Sequence, residues 1–329
     1  MAFQGGQPEK GDSILVVSLD NLGDLVFASA LLDPLRDRFP AARIGVWCKA
    51  YASGLGPLLP NVTRVYASDP FWDRSPGGSK GSIRRFLSTR ALVRRAQFDR
   101  AIIFSAPWRA AAAVASVGIP QRIGLARRRN ERWLTDVLPA EDRTKPVLEE
   151  VARLLEPLGI QKSNLVYRLD ASHLAEEQKI VRQVLGDDRF IALHPFAGSE
   201  KRCVSLDEWI RVADGLSSHR ILWIGTTPEL DRLRRRPGVQ SQWIYSDAIS
   251  SGSLTVVAVA LSHARLFIGH DSGPMHIASA LSVPTIGVFA PGEPHRTFPQ
   301  GAAPWRIIAR NTPNEISAKD ILSEGTALL

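Results

Sequence analysis

The sequence predicts an α/β protein built as two doubly wound halves, each with a parallel sheet. Three observations lead there. Short β-rich runs alternate with longer amphipathic segments along the whole chain. The alternation restarts after a crossing at residues 163–175. The length of 329 residues suits two domains, and 44% apolar residues are enough to fill two cores. The predicted layout is a loose tail (1–11), a first domain (12–165), a second domain (166–312) and a closing segment (313–329) able to fold back onto the first domain.

In the first half, strands are predicted at Ile14–Leu19, Ile44–Cys48, Thr63–Tyr66, Arg100–Phe104 and Gln121–Gly124. Helices are predicted at Leu25–Arg38, Arg84–Ala96, Arg109–Ser116 and Val147–Leu158, the last stopped by Gly159 as a C-cap residue stops a helix. The first strand leads into Asp20-Asn21-Leu22-Gly23, and Asp24 opens the following helix. A carboxylate there lies at the carboxyl edge of a parallel sheet, where ligands bind. Two roles fit it: a general base, or an acidic residue that stabilises the helix dipole.

The second half opens with a helix at Ala175–Leu185. Its strands are predicted at Phe190–His194, Arg220–Ile224, Trp243–Tyr245, Leu266–Gly269, Thr285–Phe289 and Arg306–Ile308. Helices fall at Leu206–Leu216, Leu230–Arg235, Leu254–Ser262, Pro274–Leu281 and Ser317–Leu328. After His194 a Gly-Ser turn containing Ser199 leads to Lys201 and Arg202, two cations well placed to hold a diphosphate as it leaves. A surface pair beside a helix cap would look the same. After Ile224, Thr227 with Glu229 reads as a helix cap. The turn His270-Asp271-Ser272-Gly273 precedes a helix with Pro274 near its start, where free N–H groups suit a phosphate.

Composition excludes several classes. No run of eighteen apolar residues would span a bilayer, and the first residues lack the apolar core of a secretory signal. Cys48 and Cys203 cannot form a secreted disulfide framework, so a cytoplasmic setting is expected. There is no dinucleotide fingerprint, no P-loop and no nucleophile elbow. His270 and His276 lack a third ligand at metal spacing, so neither a metal nor a cofactor is expected. The net charge of +8 gathers in two clusters. One holds Arg74, Lys80, Arg84, Arg85, Arg90, Arg94 and Arg95; the other Arg122, Arg127, Arg128, Arg129 and Arg132. They read as a solvated face or as contacts to an anionic acceptor or membrane. Without interleaved aromatics or a helix-turn-helix, nucleic acid is not expected.

The run Gly269, Asp271, Ser272, Gly273, His276, Ala278, Ala280 and Leu281 resembles the donor motif of glycosyltransferase family 9, the bacterial heptosyltransferases. Gly23-Asp24 and the Lys201 loop also resemble that family, and residues 98–124 echo it more weakly. The resemblance runs from Ile14 to about Gly301 and implies the GT-B architecture, two Rossmann-like domains facing a cleft. It implies Asp24 as catalytic base and a donor site of Ser199, Lys201, Arg202, Glu229, Asp271, Ser272, Gly273 and His276. Arg84, Arg85, Arg122 and Arg127 would contact the acceptor. The implied reaction moves a heptose from an ADP-activated donor onto a phosphorylated lipid A–Kdo acceptor. It proceeds by metal-independent inverting displacement at the inner membrane face of a Gram-negative cell. Another nucleotide sugar, another acceptor, or a donor-binding module without turnover stay open. The chain departs from the family at Ser18, at Ala28-Ser29-Ala30, at Lys145-Pro146 and at Cys203-Val204-Ser205, mostly on the acceptor side.

Overall fold

The computed structural model describes residues 13–73, 81–104, 108–127, 129–161, 164–245, 249 and 253–329. The predicted tail, and Arg74, Lys80 and Arg128 of the basic clusters, lie outside the described residues. The chain divides into two compact units between Tyr167 and Arg168.

The first unit holds six parallel strands: β1 (Ser13–Ser18), β2 (Arg43–Cys48), β3 (Arg64–Ala67), β4 (Arg100–Ile103), β5 (Gln121–Leu125) and β6 (Asp136–Leu138). Their order is β3-β2-β1-β4-β5-β6, so the winding reverses between β1 and β4. Every residue of β1 is buried, as a central parallel strand covered on both faces requires. The three-residue β6 carried no strand pattern in the sequence.

Among the described residues, five α-helices complete this unit: α1 (Leu22–Ser29), α2 (Leu32–Arg38), α3 (Ile83–Ala96), α4 (Trp108–Ala115) and α5 (Val147–Arg153). The single helix predicted over 25–38 is two, because Pro34 has no N–H and its ring crowds the carbonyl one turn earlier. Pro157 likewise cuts the helix predicted over 147–158 into α5 and a 3-10 turn, Glu156–Leu158. Gly159 closes that turn in the left-handed region, at φ 70°. Helices α3 and α4 cover one face together, their Phe86, Val93, Ala110 and Val114 packing on Leu15, Val17, Trp47 and Ile103.

In the second unit the strands are β7 (Phe190–His194), β8 (Arg220–Trp223), β9 (Ala264–His270), β10 (Thr285–Phe289) and β11 (Trp305–Ala309), all parallel. The order β11-β10-β9-β7-β8 reverses between β7 and β9. The helices are α6 (Ala175–Leu185), α7 (Leu206–Gly215), α8 (Thr227–Arg234), α9 (Leu254–Ser262), α10 (Gly273–Ala280), α11 (Pro294–Thr297) and α12 (Ala318–Leu328). The strand predicted at 243–245 shrinks to one bridge, Leu222 to Ile244, while Trp243 packs on Trp223 at 5.6 Å.

Helix α12, expected to be able to fold back onto the first domain, belongs to the second unit. It packs on α7, β9 and β11, burying Ala318 and Ile321 in the second core. The Ala318 N–H donates to Glu208 Oε2 at 2.6 Å, fixing the helix start on α7. No helix among the described residues is long and apolar enough to cross a membrane.

Candidate active site

Open α/β sheets bind ligands beyond the carboxyl ends of strands, where the winding reverses. In the first unit that place is the end of β1. Asn21 caps α1, and its N–H donates to Asp24 Oδ2 at 2.9 Å. Burial pushes the pKa of Asp24 up to about 7, and the neighbouring Asp20 charge adds to this. The Asn21 N–H, Arg127 and Lys49 pull the other way. Asp24 is also the N3 residue of the α1 capping box, so its helix-end role stands beside that of a base. A pKa near 7 suits a general base at neutral pH.

Three neighbours complete this corner. Lys49 follows β2, whose end is in register with that of β1 (Ser18 opposite Cys48). It is buried and pairs with Asp73 at 2.5 Å. The Tyr51 hydroxyl meets the Leu22 N–H. Partial burial, aided by Asp24, Asp20 and Asp73, raises its pKa to about 12, so it remains a proton-bearing phenol. Buried Asn130 accepts from the Arg127 N–H at 2.8 Å and donates to the Leu125 carbonyl at 2.9 Å, shaping the turn that carries Arg127. Sequence reasoning missed Lys49, Tyr51 and Asp73, because single polar residues after a strand carry no spacing signal.

In the second unit, the loop after β7 and the turn after β9 flank the reversal. The loop forms a 3-10 turn, Glu200–Arg202, which follows exposed Ser199. Arg202 Nη2 donates to Asp271 Oδ2 at 2.9 Å and to the Asp271 carbonyl at 3.2 Å. Lys201 is exposed and has no ion-pair partner among the described residues. The family-like lysine is therefore the free cation of the loop, and Arg202 is the one that joins it to the donor motif.

The Asp271 carboxylate is also approached by Thr297 Oγ1 at 3.5 Å. Buried His276 stands behind it, Nε2 3.6 Å from Oδ1, just beyond hydrogen-bond length. Ser272 is the N-cap of α10, yet its hydroxyl donates back to the His270 carbonyl at 3.0 Å. The helix end therefore has no side-chain cap, an arrangement in which backbone N–H groups such as that of Gly273 suit an anion. Arg202, Asp271, Pro291, Gly292, Glu293 and Thr297 line a cavity of about 450 Å³. The sequence did not single out Glu293 or Thr297; both follow β10, near the strands that carry the motif.

His270 supports this arrangement from below. Its Nε2 accepts the Val204 N–H at 3.1 Å, and its Nδ1 donates to the Val288 carbonyl at 3.3 Å. Burial pushes its pKa down to about 4, with His194 and Arg202 contributing. A neutral imidazole thus ties the cationic loop to β9 and β10. His194 is likewise held neutral by burial, its Nδ1 2.9 Å from the Ile224 carbonyl.

The other predicted residues are dispersed. Both the Thr226 N–H and its hydroxyl donate to Glu229 Oε2, at 2.7 and 2.8 Å, so the α8 cap is Thr226 rather than Thr227. Arg122, expected at the acceptor, is engaged by the backbone around β5. Its guanidinium donates to the carbonyls of Trp133, Ile119 and Pro120, bracing the start of β5. Arg84 and Arg85 stand exposed in the first turn of α3. Among the described residues, no three His, Cys, Asp or Glu side chains stand close enough to hold a metal.

The family model of glycosyltransferase family 9 (heptosyltransferase) matches residues 86–322. A lipopolysaccharide core heptosyltransferase of Haemophilus influenzae, OpsX, is 23% identical over 300 residues, covering 88% of this chain and 82% of that protein. Lipopolysaccharide heptosyltransferase 3 of Escherichia coli is 24% identical over 286 residues, covering 81% and 79%. The solved structure of the Escherichia coli ADP-heptose lipopolysaccharide heptosyltransferase II matches with a TM-score of 0.79 at 19% identity, covering 96% of this chain and 98% of that one. The last likeness identifies the two doubly wound units as the GT-B fold.

Proposed function

Because the chain belongs to glycosyltransferase family 9, we propose that this glycosyltransferase moves a heptose from an ADP-activated donor onto a lipopolysaccharide core acceptor. The observation that carries the reading is the junction of Arg202 with Asp271 beside an uncapped helix end, at the winding reversal of the second sheet. That arrangement offers positive charge and N–H groups to a diphosphate and a carboxylate to sugar hydroxyls, side by side.

The proposed reaction is a single inverting displacement. An acceptor hydroxyl attacks the anomeric carbon as the bond to the diphosphate breaks, and the hydroxyl proton passes to Asp24. The departing diphosphate keeps the electron pair. Lys201, the remaining donors of Arg202 and the N–H groups of Ser272 and Gly273 meet its charge. These groups supply the positive field without a metal. Asp271 accepts hydrogen bonds from sugar or ribose hydroxyls, with Ser199 and His276 shaping the pocket. Glu229, beyond its cap, reaches the adenosine side. Arg127, beside Asp24, faces the phosphorylated lipid A–Kdo part of the acceptor. The enzyme works in the cytoplasm at the inner membrane face, and no nucleic acid takes part.

Calorimetric binding of ADP, UDP, GDP and CMP tests the donor, followed by transfer from ADP-heptose to deacylated core acceptor. ADP preference with heptose transfer supports the reading. Preference for another nucleotide removes the heptose assignment, and binding without transfer or slow donor hydrolysis points to a module without turnover.

A further inference from the structure

Helix α3 turns an unusual face outward. Its buried side packs Phe86, Thr89 and Val93 into the first core, and Arg90 is held by Ser116 of the segment after α4, at 2.7 and 2.9 Å. The rest faces water. Ile83 is 58% exposed, Leu87 49% and Leu92 43%, with Phe71 (45%) beside the helix start, 5.7 Å from Phe86. Such large apolar side chains, grouped on one helix, are not what a face meant only for water presents.

The same face is strongly basic. Arg84, Arg85, Arg94 and Arg95 are exposed, α3 contains no acid, and none of the four has an acidic partner among the described residues. At about 100° per residue, Ile83, Leu87, Arg84, Arg94 and Arg95 share roughly one-third of the helix circumference, with Leu92 and Arg85 outside that sector. Two cations in the first turn also oppose the helix dipole, a local cost that anionic surroundings relieve. A purely electrostatic contact would need no Ile83 or Leu87. Apolar side chains set among arginines match the boundary between lipid headgroups and acyl chains.

We propose that the outward face of α3 seats the first unit on an anionic bilayer. Phe71, Ile83 and Leu87 enter the headgroup boundary, and Arg84, Arg94 and Arg95 pair with lipid phosphates. This rests on the reading of the acceptor as lipid-borne, and it assigns Arg84 to the membrane rather than to the acceptor's sugar.

The test is co-sedimentation with vesicles of phosphatidylethanolamine and phosphatidylglycerol, against phosphatidylcholine alone. ADP affinity of every variant is measured alongside. The expected result is binding to the mixed vesicles only, cut about tenfold or more by Arg84→Glu/Arg94→Glu. Ile83→Gln/Leu87→Gln should weaken it severalfold at unchanged charge. Arg235→Glu, an exposed arginine of the second unit, should leave it unchanged. A wild-type protein that binds ADP but no mixed vesicle overturns the proposal, as do α3 variants that bind like wild type. Retention on single-stranded RNA without vesicle binding overturns it in favour of a nucleic acid. Vesicle binding without ADP binding would retain the membrane surface and remove the donor assignment instead.

Discussion

Arg202 grips Asp271 twice, donating from one nitrogen to the carboxylate at 2.9 Å and to the carbonyl at 3.2 Å. The two residues stand sixty-nine positions apart, on the loops after β7 and β9. Removing the guanidinium therefore affects charge and position together. Arg202→Ala should weaken ADP binding by about 10- to 100-fold, the range for losing hydrogen bonds to a charged group. Lys201→Ala, which removes an exposed cation, should cost less in ADP affinity and more in kcat if its charge acts on the leaving diphosphate. Calorimetry and steady-state kinetics on the two variants separate these effects.

Asp24 sets the pH response of the first unit. Transfer needs its ionised form, so kcat/KM should rise with pH and level off above about 7. The stability effect has the opposite sign. A carboxyl whose folded pKa is raised stabilises the fold below its ordinary value near 3.8, and that contribution is lost as pH rises through about 7. Asp24→Asn should abolish transfer, leave ADP affinity near wild type and raise Tm at pH 8. A gain of about 1 kcal/mol would read as roughly 2–4 °C. Undiminished transfer in that variant would remove Asp24 from the mechanism.

His270 acts in the other direction. Its folded pKa, near 4, lies below the ordinary 6.5, so its contribution is present above 6.5 and lost as pH falls through about 4. His270→Phe keeps an aromatic ring against Trp209, now 5.4 Å away, but leaves the Val204 N–H without its acceptor. Chemical denaturation should show a loss of about 1–3 kcal/mol at pH 7, shrinking as pH falls. Because Val204 follows the cationic loop, ADP affinity should fall as well.

Gly301 is fixed by close approach. A Cβ there would lie 1.9 Å from the Ser279 carbonyl oxygen at the end of α10. The Gly301 N–H also donates to Ser279 Oγ at 2.9 Å. Gly301→Ala should lower stability by about 1–3 kcal/mol or more, measured by urea unfolding. Gly198→Ala, where a Cβ meets nothing within 4 Å, is the matched control.

The strands that build both candidate sites were legible in the sequence because β1, β7 and β10 are continuous apolar runs, which parallel strands buried on two faces must be. Pro34 and Pro157 were equally visible, yet the long periodic segments around them read as single helices. β6 was hidden by its length, and Trp243 imitates a strand residue while packing from a nearly irregular segment. The motif turn was legible through its spacing. What Arg202 does was not, because only the register of a 3-10 turn sends one of two adjacent cations to Asp271. Nor was the pairing of Lys49 with Asp73, which tertiary folding creates across 24 residues of unrelated sequence.

The ring of His270 is bonded on one side to the loop after β7 and on the other to β10. Its two nitrogens therefore carry unlike protonation, with the lone pair on Nε2 turned to Val204. In nitrogen-15 magnetic resonance a pyrrole-like and a pyridine-like nitrogen are widely separated, so this one imidazole is a resident gauge of the loop. Movement of the loop when donor enters would displace the pyridine-like signal while the other stayed anchored. The protein can thus report occupancy of its own pocket without a labelled sugar.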